Sequence, residues 1–166
     1  MEKNLQSAQA VKKLQTLISD VRTCMMVTSG KSGRHSGRPM AVIDVDDHAN
    51  LWFFASNKSA KVKDIEEDTQ VQLVFANPQK DIFIDVYGRA SIETDRRYIT
   101  EKWNPLVKAW FPDGVDDPAL CLIKIKADEA HYWDTDATKV GAMVKMALSA
   151  VTGKKLEEGV HGELHF

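Results

Sequence analysis

Arg38, Ser59 and Lys61 are the side chains whose types and positions suggest chemistry. Arg38 opens the apolar run Arg38-Pro39-Met40-Ala41-Val42-Ile43. Lys61 follows shortly after the aromatic run Leu51-Trp52-Phe53-Phe54-Ala55. Arginine offers a planar fork of donors and lysine a compact charge, a pair suited to a phosphate dianion. If the two runs pair as a hairpin, both cations reach one end of the same sheet. Ser59 reads as the N-cap of a short helix whose free N–H groups could join the site. Taken singly, Ser59 is a cap and Lys61 a surface lysine. Together with Arg38 they point to a phosphorylated small molecule beside an aromatic strand.

Other chemistries find less support. Gly30-Lys31-Ser32 ends like a phosphate loop, but Met25 stands where the earlier glycine belongs. No strand is followed by glycines at the spacing of a dinucleotide fingerprint. His161-Gly162-Glu163-Leu164-His165 resembles a zinc-protease helix only in outline, because Gly162 replaces the essential glutamate, so no metal is expected. No nucleophile triad emerges. His131, beside Tyr132 and Trp133, could carry a proton, but a partly buried strand position explains it better. The acids Asp46-Asp47, Glu66-Glu67-Asp68 and Asp116-Asp117 fit turns and helix ends. Trp52, Phe53, Phe54 and Phe75, one by one, read as core.

The elements that must position these residues follow from periodicity. Leu5, Ala8, Val11, Leu14, Leu17, Ile18 and Val21 recur at helical spacing. Strands are expected at 23–28, 38–46, 50–55, 70–76 and 120–133, with a short helix at 59–67. The cleanest alternation runs from Ile82 to Ile92, and Gly88 in its middle suggests a bulge or a tight bend. Residues 95–103 look helical, and 105–118 loop-rich. Asp136 is placed to cap a last helix with Val140, Met143, Val144, Ala147 and Leu148 inward. One domain is expected over 1–151, and a loosely held tail over 152–166. Hairpin-linked strands with short helices between them argue for a mainly β, α+β fold, an antiparallel sheet closed into a small barrel.

Bulk properties narrow the partners. A net charge of −2 argues against general nucleic-acid binding. No apolar run is long enough to span a membrane. The start Met1-Glu2-Lys3-Asn4 lacks an apolar signal stretch, so a cytoplasmic protein is expected, with Cys24 and Cys121 as buried free thiols.

The ordered runs Thr23–Thr28, Arg38-Pro39-Met40, Leu51–Ala55, Ser59-Ala60-Lys61, Val71–Phe75, Val86–Ala90 and Tyr132-Trp133-Asp134 resemble the pyridoxamine 5′-phosphate oxidase-like, FMN-binding split-barrel proteins. Trp103-Asn104-Pro105 through Trp110-Phe111-Pro112-Asp113-Gly114 looks like the general stress protein 26 subgroup. The resemblance implies an antiparallel split β-barrel and a homodimer with FMN, or FAD in its place, at the subunit interface. Arg38 and Lys61 would hold the phosphate with Ser59 nearby. Met40, Ala41 and Val42, then Phe54 and Ala55, would line the flavin. Trp133 would approach it from the partner subunit.

Departures from the oxidase pattern matter as well. Where the true oxidases carry an Arg and a His after the matching tryptophan, this chain has Lys139 and Gly141. Phe83 stands where they carry a flavin-contacting Gln. Lys139 can still meet an anion, but the set argues against pyridoxamine phosphate oxidation. Two readings stay open: an FMN-dependent oxidoreductase of stress physiology with an unknown substrate, and a non-catalytic flavin carrier or interaction protein. Haem degradation, seen in some split-barrel relatives, ranks below both.

Overall fold

A period of two runs through most of the chain, and the sheet follows it. The computed structural model describes residues 3–30, 33–134 and 160–166. Among these the order is β1 (Leu5–Gln6), α1 (Ser7–Val21), β2 (Thr23–Ser29), β3 (His35–Ala41), β4 (Asp44–Val45) and β5 (Asn50–Ser56). There follow α2 (Ala60–Glu67), β6 (Gln70–Asn77), β7 (Ile82–Glu93), α3 (Arg96–Glu101), β8 (Leu120–Asp134) and β9 (Val160–His165). Two 3-10 turns, Pro105–Ala109 and Gly114–Asp116, lie between α3 and β8.

The ladders run β3-β2-β6-β7-β8, antiparallel throughout. β8 is long enough to serve two further partners: its first half pairs with β5 and its second with β9. The fold is mainly β with flanking helices, of the split-barrel type, and the sheet is not closed. This corrects the closed barrel expected from the strand pattern. It also corrects the proposed hairpin between the Arg38 run and the aromatic run. β3 pairs with β2 across a short Gly-containing loop, and only Asp44 and Val45 pair with β5. The break comes at Val42, which is buried in the main core with its N–H donated to the Arg22 carbonyl, so β3 ends before the chain reaches β5. Pro39, which has no N–H to give, sits on the resulting edge strand, where none is needed.

Alternate side chains of β2, β6 and β7 turn inward. Met26, Leu73, Phe75, Ile84 and Val86 pack with Leu14, Leu17 and Ile18 of α1. Burying a side chain of this size contributes about 1.5–3 kcal/mol. β5 is apolar without alternation because both its faces are covered. Leu51, Phe53 and Ala55 join the main core. Trp52 packs with Ile99, Phe111, Leu120 and Leu122 in a second cluster, which Phe54 and Trp103 flank.

Gly88 lies at a register shift: Tyr87 pairs with Glu129 and Gly88 with Ala127, leaving Asp128 as the extra residue of a bulge. A methyl group on Gly88 would run into the Lys126 carbonyl.

Both chain ends depart from expectation. The first helix begins at Ser7, and Leu5–Gln6 instead form a parallel pair with Leu164 and His165. The end of the expected loose tail, Val160–His165, is strand β9, held between β8 and β1. Its partners lie far away in sequence, so local periodicity carries no sign of them. Gly162 leaves no room for a side chain against the Lys3 carbonyl, and the Lys3 N–H donates to the His161 carbonyl at 2.8 Å. The expected last helix, with Lys139 and Gly141, lies outside the described residues. Among the described residues no helix is long and apolar enough to cross a membrane.

Candidate functional site

Arg38 enters the site from edge strand β3, opposite Met26. Its Nη1 donates to Thr28 Oγ1 at 2.7 Å and to the Met26 carbonyl at 3.3 Å. Its Nη2 lies 3.5 Å from Asp64 Oδ2, on α2. Although the hairpin that was to bring them together does not form, Arg38 and Lys61 are neighbours, because α2 packs against β2. Lys61 lies in the first turn of α2, half-buried and without a hydrogen bond or ion pair among the described residues. Burial, and then the nearby Arg38 charge, hold its pKa below the ordinary 10.5.

Ser59 occupies the N-cap position as the sequence suggests, but its side chain does not cap the helix. Its buried hydroxyl has no hydrogen-bond partner. An unsatisfied buried polar group costs about 1–3 kcal/mol. Val62 and Lys63 donate their N–H groups to the Ser59 carbonyl, which leaves those of Ala60 and Lys61 for an outside acceptor. A guanidinium, an unpaired ammonium, an orphaned hydroxyl and open N–H groups all suit one ligand, a phosphate.

Beside this end lies a cavity of about 550 Å³, within the range of small-molecule sites. Met40 and Ala41 of β3, Phe54 and Ala55 of β5, and Lys61 line it. Val42 does not. It is buried in the main core, and its N–H is tied to the Arg22 carbonyl. The far wall comes from residues the sequence reading did not place in the site: Val107, Trp110 and Phe111 after α3, with Asp117 and Ala119 before β8. Trp110 is 75% exposed. A tryptophan in a Pro- and Gly-rich loop was the available signal.

Trp133 is not brought to this cavity by its own chain. Ala55 pairs with Cys121 at the start of β8, and Trp133 stands about 40 Å of strand further on. It is half exposed on the outer sheet face, paired with Phe83.

Several alternatives find little chemistry here. Burial pushes the Cys24 thiol up to about 12 and the Cys121 thiol to about 11, so neither supplies a thiolate near neutrality. Asp46 spends its carboxylate on Asn50, Trp52 and the His48 N–H, locking the β4–β5 turn. His131 faces Glu163 of β9, with 3.8 Å between Nδ1 and Oε1, away from the cavity. Among the described residues no group of three or more His, Cys, Asp or Glu is placed to hold a metal.

A family model described as pyridoxamine 5′-phosphate oxidase like matches residues 9–157. The chain belongs to that family. Among relatives of this pyridoxamine 5′-phosphate oxidase-like protein, it is similar to Protein bli-3 of Neurospora crassa, 30% identical over 156 residues, 88% of this chain and 75% of the relative. Among solved structures it is similar to the general stress FMN/FAD binding protein of Xanthomonas citri, with 28% identity and a TM-score of 0.67. That match covers 78% of this chain and 92% of the other. The general stress protein 26 of Bacillus anthracis str. Sterne is 29% identical at a TM-score of 0.65, covering 74% and 92%. The fold alone is shared with a candidate general stress protein 26 of Jannaschia sp. CCS1, at 22% identity, a TM-score of 0.78, and coverage of 96% and 99%.

Proposed function

We propose that this pyridoxamine 5′-phosphate oxidase-like protein binds FMN, with the phosphate between Arg38, Lys61, Ser59 and the start of α2. The observation that carries this reading is the half-buried Lys61, without an anion among the described residues, beside the orphaned Ser59 hydroxyl and at the wall of a mainly apolar cavity. The isoalloxazine lies along Met40, Ala41, Phe54 and Ala55, with Trp110 and Phe111 opposite. The printed FMN/FAD binding of the Xanthomonas citri relative supports a flavin as the ligand.

The protein works as a homodimer. Met25, Val74, Phe83, Tyr87 and Trp133 are 40–50% exposed and share the outer face of β2, β6, β7 and β8. Large apolar side chains exposed on one sheet face, interleaved with Gln72, Asp85 and His131, suit a contact surface. It is also the face from which Trp133 of one subunit can reach the cofactor of another.

Bound FMN supplies hydride or electron transfer. The chain's own residues grip the phosphate and shield the ring from water between the Met40–Ala41 and Phe54–Ala55 wall and the Trp110–Phe111 wall. An oxidoreductase is the first reading, and the general stress names of the relatives support a role in stress physiology. A flavin carrier is the second reading. It is favoured by the described lining, whose titratable side chains are Lys61 and Asp117, the latter already accepting from the Ala119 N–H at 2.8 Å. Reduction of bound flavin by NADH or NADPH no faster than that of free FMN selects the carrier.

The binding test is a titration with FMN and with riboflavin, which lacks the phosphate. Arg38→Ala and Lys61→Ala are each expected to weaken FMN by about one to two decades, as befits a charged hydrogen bond, and to leave riboflavin unchanged. No saturable flavin binding by the wild type sinks the proposal.

A further inference from the structure

The Arg38 guanidinium is held by more than its own strand. Thr28 Oγ1 lies 2.7 Å from Arg38 Nη1 and 2.7 Å from Asp64 Oδ2. A hydroxyl has one proton to give, and the guanidinium can only donate. The chain of bonds therefore has a fixed direction: Arg38 donates to Thr28, and Thr28 donates to Asp64. Thr28 is 1% exposed, so water does not compete for this link. The direct Arg38–Asp64 approach is longer, at 3.5 Å, which makes the threonine the main connection. Gly30 completes the arrangement, since a side chain there would press on the other carboxylate oxygen at 3.0 Å.

Asp64 belongs to α2, the helix that presents Lys61, whereas Arg38 stands on an edge strand. An arginine on an edge strand is free to sample many rotamers, and ordering it on ligand binding carries an entropic cost. The Thr28–Asp64 link removes that freedom in advance and ties the two cations to one frame. Coulomb's law alone predicts the reverse of a benefit, because a carboxylate beside the site repels a phosphate. The two effects have opposite signs, so affinity distinguishes them.

We propose that Asp64 is a positioning residue: acting through Thr28, it aims Arg38 at the phosphate and so favours a phosphate monoester although its own charge opposes one. This rests on the FMN reading above. The test is the FMN and riboflavin affinity, by flavin fluorescence titration, of Asp64→Ala, Asp64→Asn and Thr28→Val, with melting temperatures measured alongside. Asp64→Ala and Thr28→Val are expected to weaken FMN about tenfold and leave riboflavin unchanged. Asp64→Asn, which keeps an acceptor for the threonine, is expected to retain most of the affinity. In an Arg38→Ala background, Asp64→Ala is expected to change nothing further, as for a residue acting only through Arg38. Tighter FMN binding in Asp64→Ala and Asp64→Asn overturns the proposal in favour of simple charge repulsion. Equal losses for FMN and riboflavin overturn it in favour of a structural role. If Arg38→Ala and Lys61→Ala themselves leave the ratio of FMN to riboflavin affinity unchanged, the phosphate reading falls and this inference with it.

Discussion

Lys61 is the residue on which pH should act. Its pKa in the folded chain lies below its unfolded value of 10.5, through burial first and the Arg38 charge second. The unfolded chain thus holds that proton more tightly, and linkage disfavours the fold below the depressed pKa. The handicap disappears as pH rises through the depressed value toward 10.5. A phosphate dianion acts in the opposite sense, because it favours the charged ammonium. FMN affinity is therefore expected to be full near neutrality and to fall as pH climbs through the depressed lysine pKa. Lys61→Arg should stay flat over the same range, since a guanidinium does not titrate there. Riboflavin titrated in parallel removes the contribution of the flavin ring itself. A wild-type FMN-to-riboflavin ratio that ignores alkaline pH would show that Lys61 does not face the phosphate.

At the scale of elements, the bulge between β7 and β8 decides how the sheet bends. Gly88 faces the Lys126 carbonyl and Ile125 so closely that a Cβ has no space, and backbone cannot move aside as a flexible side chain can. Gly88→Ala is expected to destabilise the fold by about 1–3 kcal/mol, the usual result of overpacking, readable as a lower denaturation midpoint. Unchanged stability would mean that the bend does not depend on this contact. The segment between α3 and β8 shows another division of labour. Phe111 anchors it in the second core cluster with Trp52 and Ile99, while Trp110 beside it stays exposed on the cavity wall. One residue fixes the loop and its neighbour stays on the cavity wall.

At the scale of the whole molecule, Met25, Val74, Phe83, Tyr87 and Trp133 stand exposed on one sheet face, uncovered by the other described residues. Dimerisation through that face is expected, with a sedimentation mass twice that of the chain. Phe83→Glu should yield a folded monomer, because Phe83 points outward and takes no part in the core. A wild-type monomer at micromolar concentration, or a dimer untouched by Phe83→Glu, would place the contact elsewhere. Weakened FMN binding in that monomer would support a site shared between subunits.

Much of this was legible beforehand, for physical reasons that apply to particular residues. The alternation from Ile82 to Ile92 defines a half-buried strand locally, and Gly88 marks its bend because only a missing Cβ allows that approach. The types of Arg38, Ser59 and Lys61 determine a preference for phosphate, since charge and donor geometry belong to the side chain itself. What the sequence left undecided was set by contacts between distant segments. The pairing of β3 with β2, the docking of β9 between β1 and β8, and the inward turn of Val42 depend on which surfaces meet in space. Asp64 reads as an ordinary helix carboxylate until α2 packs on β2 and sets it against Thr28. Trp110 belongs to a loop-rich segment in the sequence, and only the burial of Phe111 shows which of the two aromatics stays exposed at the cavity. Residue chemistry pointed to a phosphate, and tertiary packing decided which groups stand around Arg38 and Lys61, because hydrogen-bond direction and burial exist only once the strands are assembled.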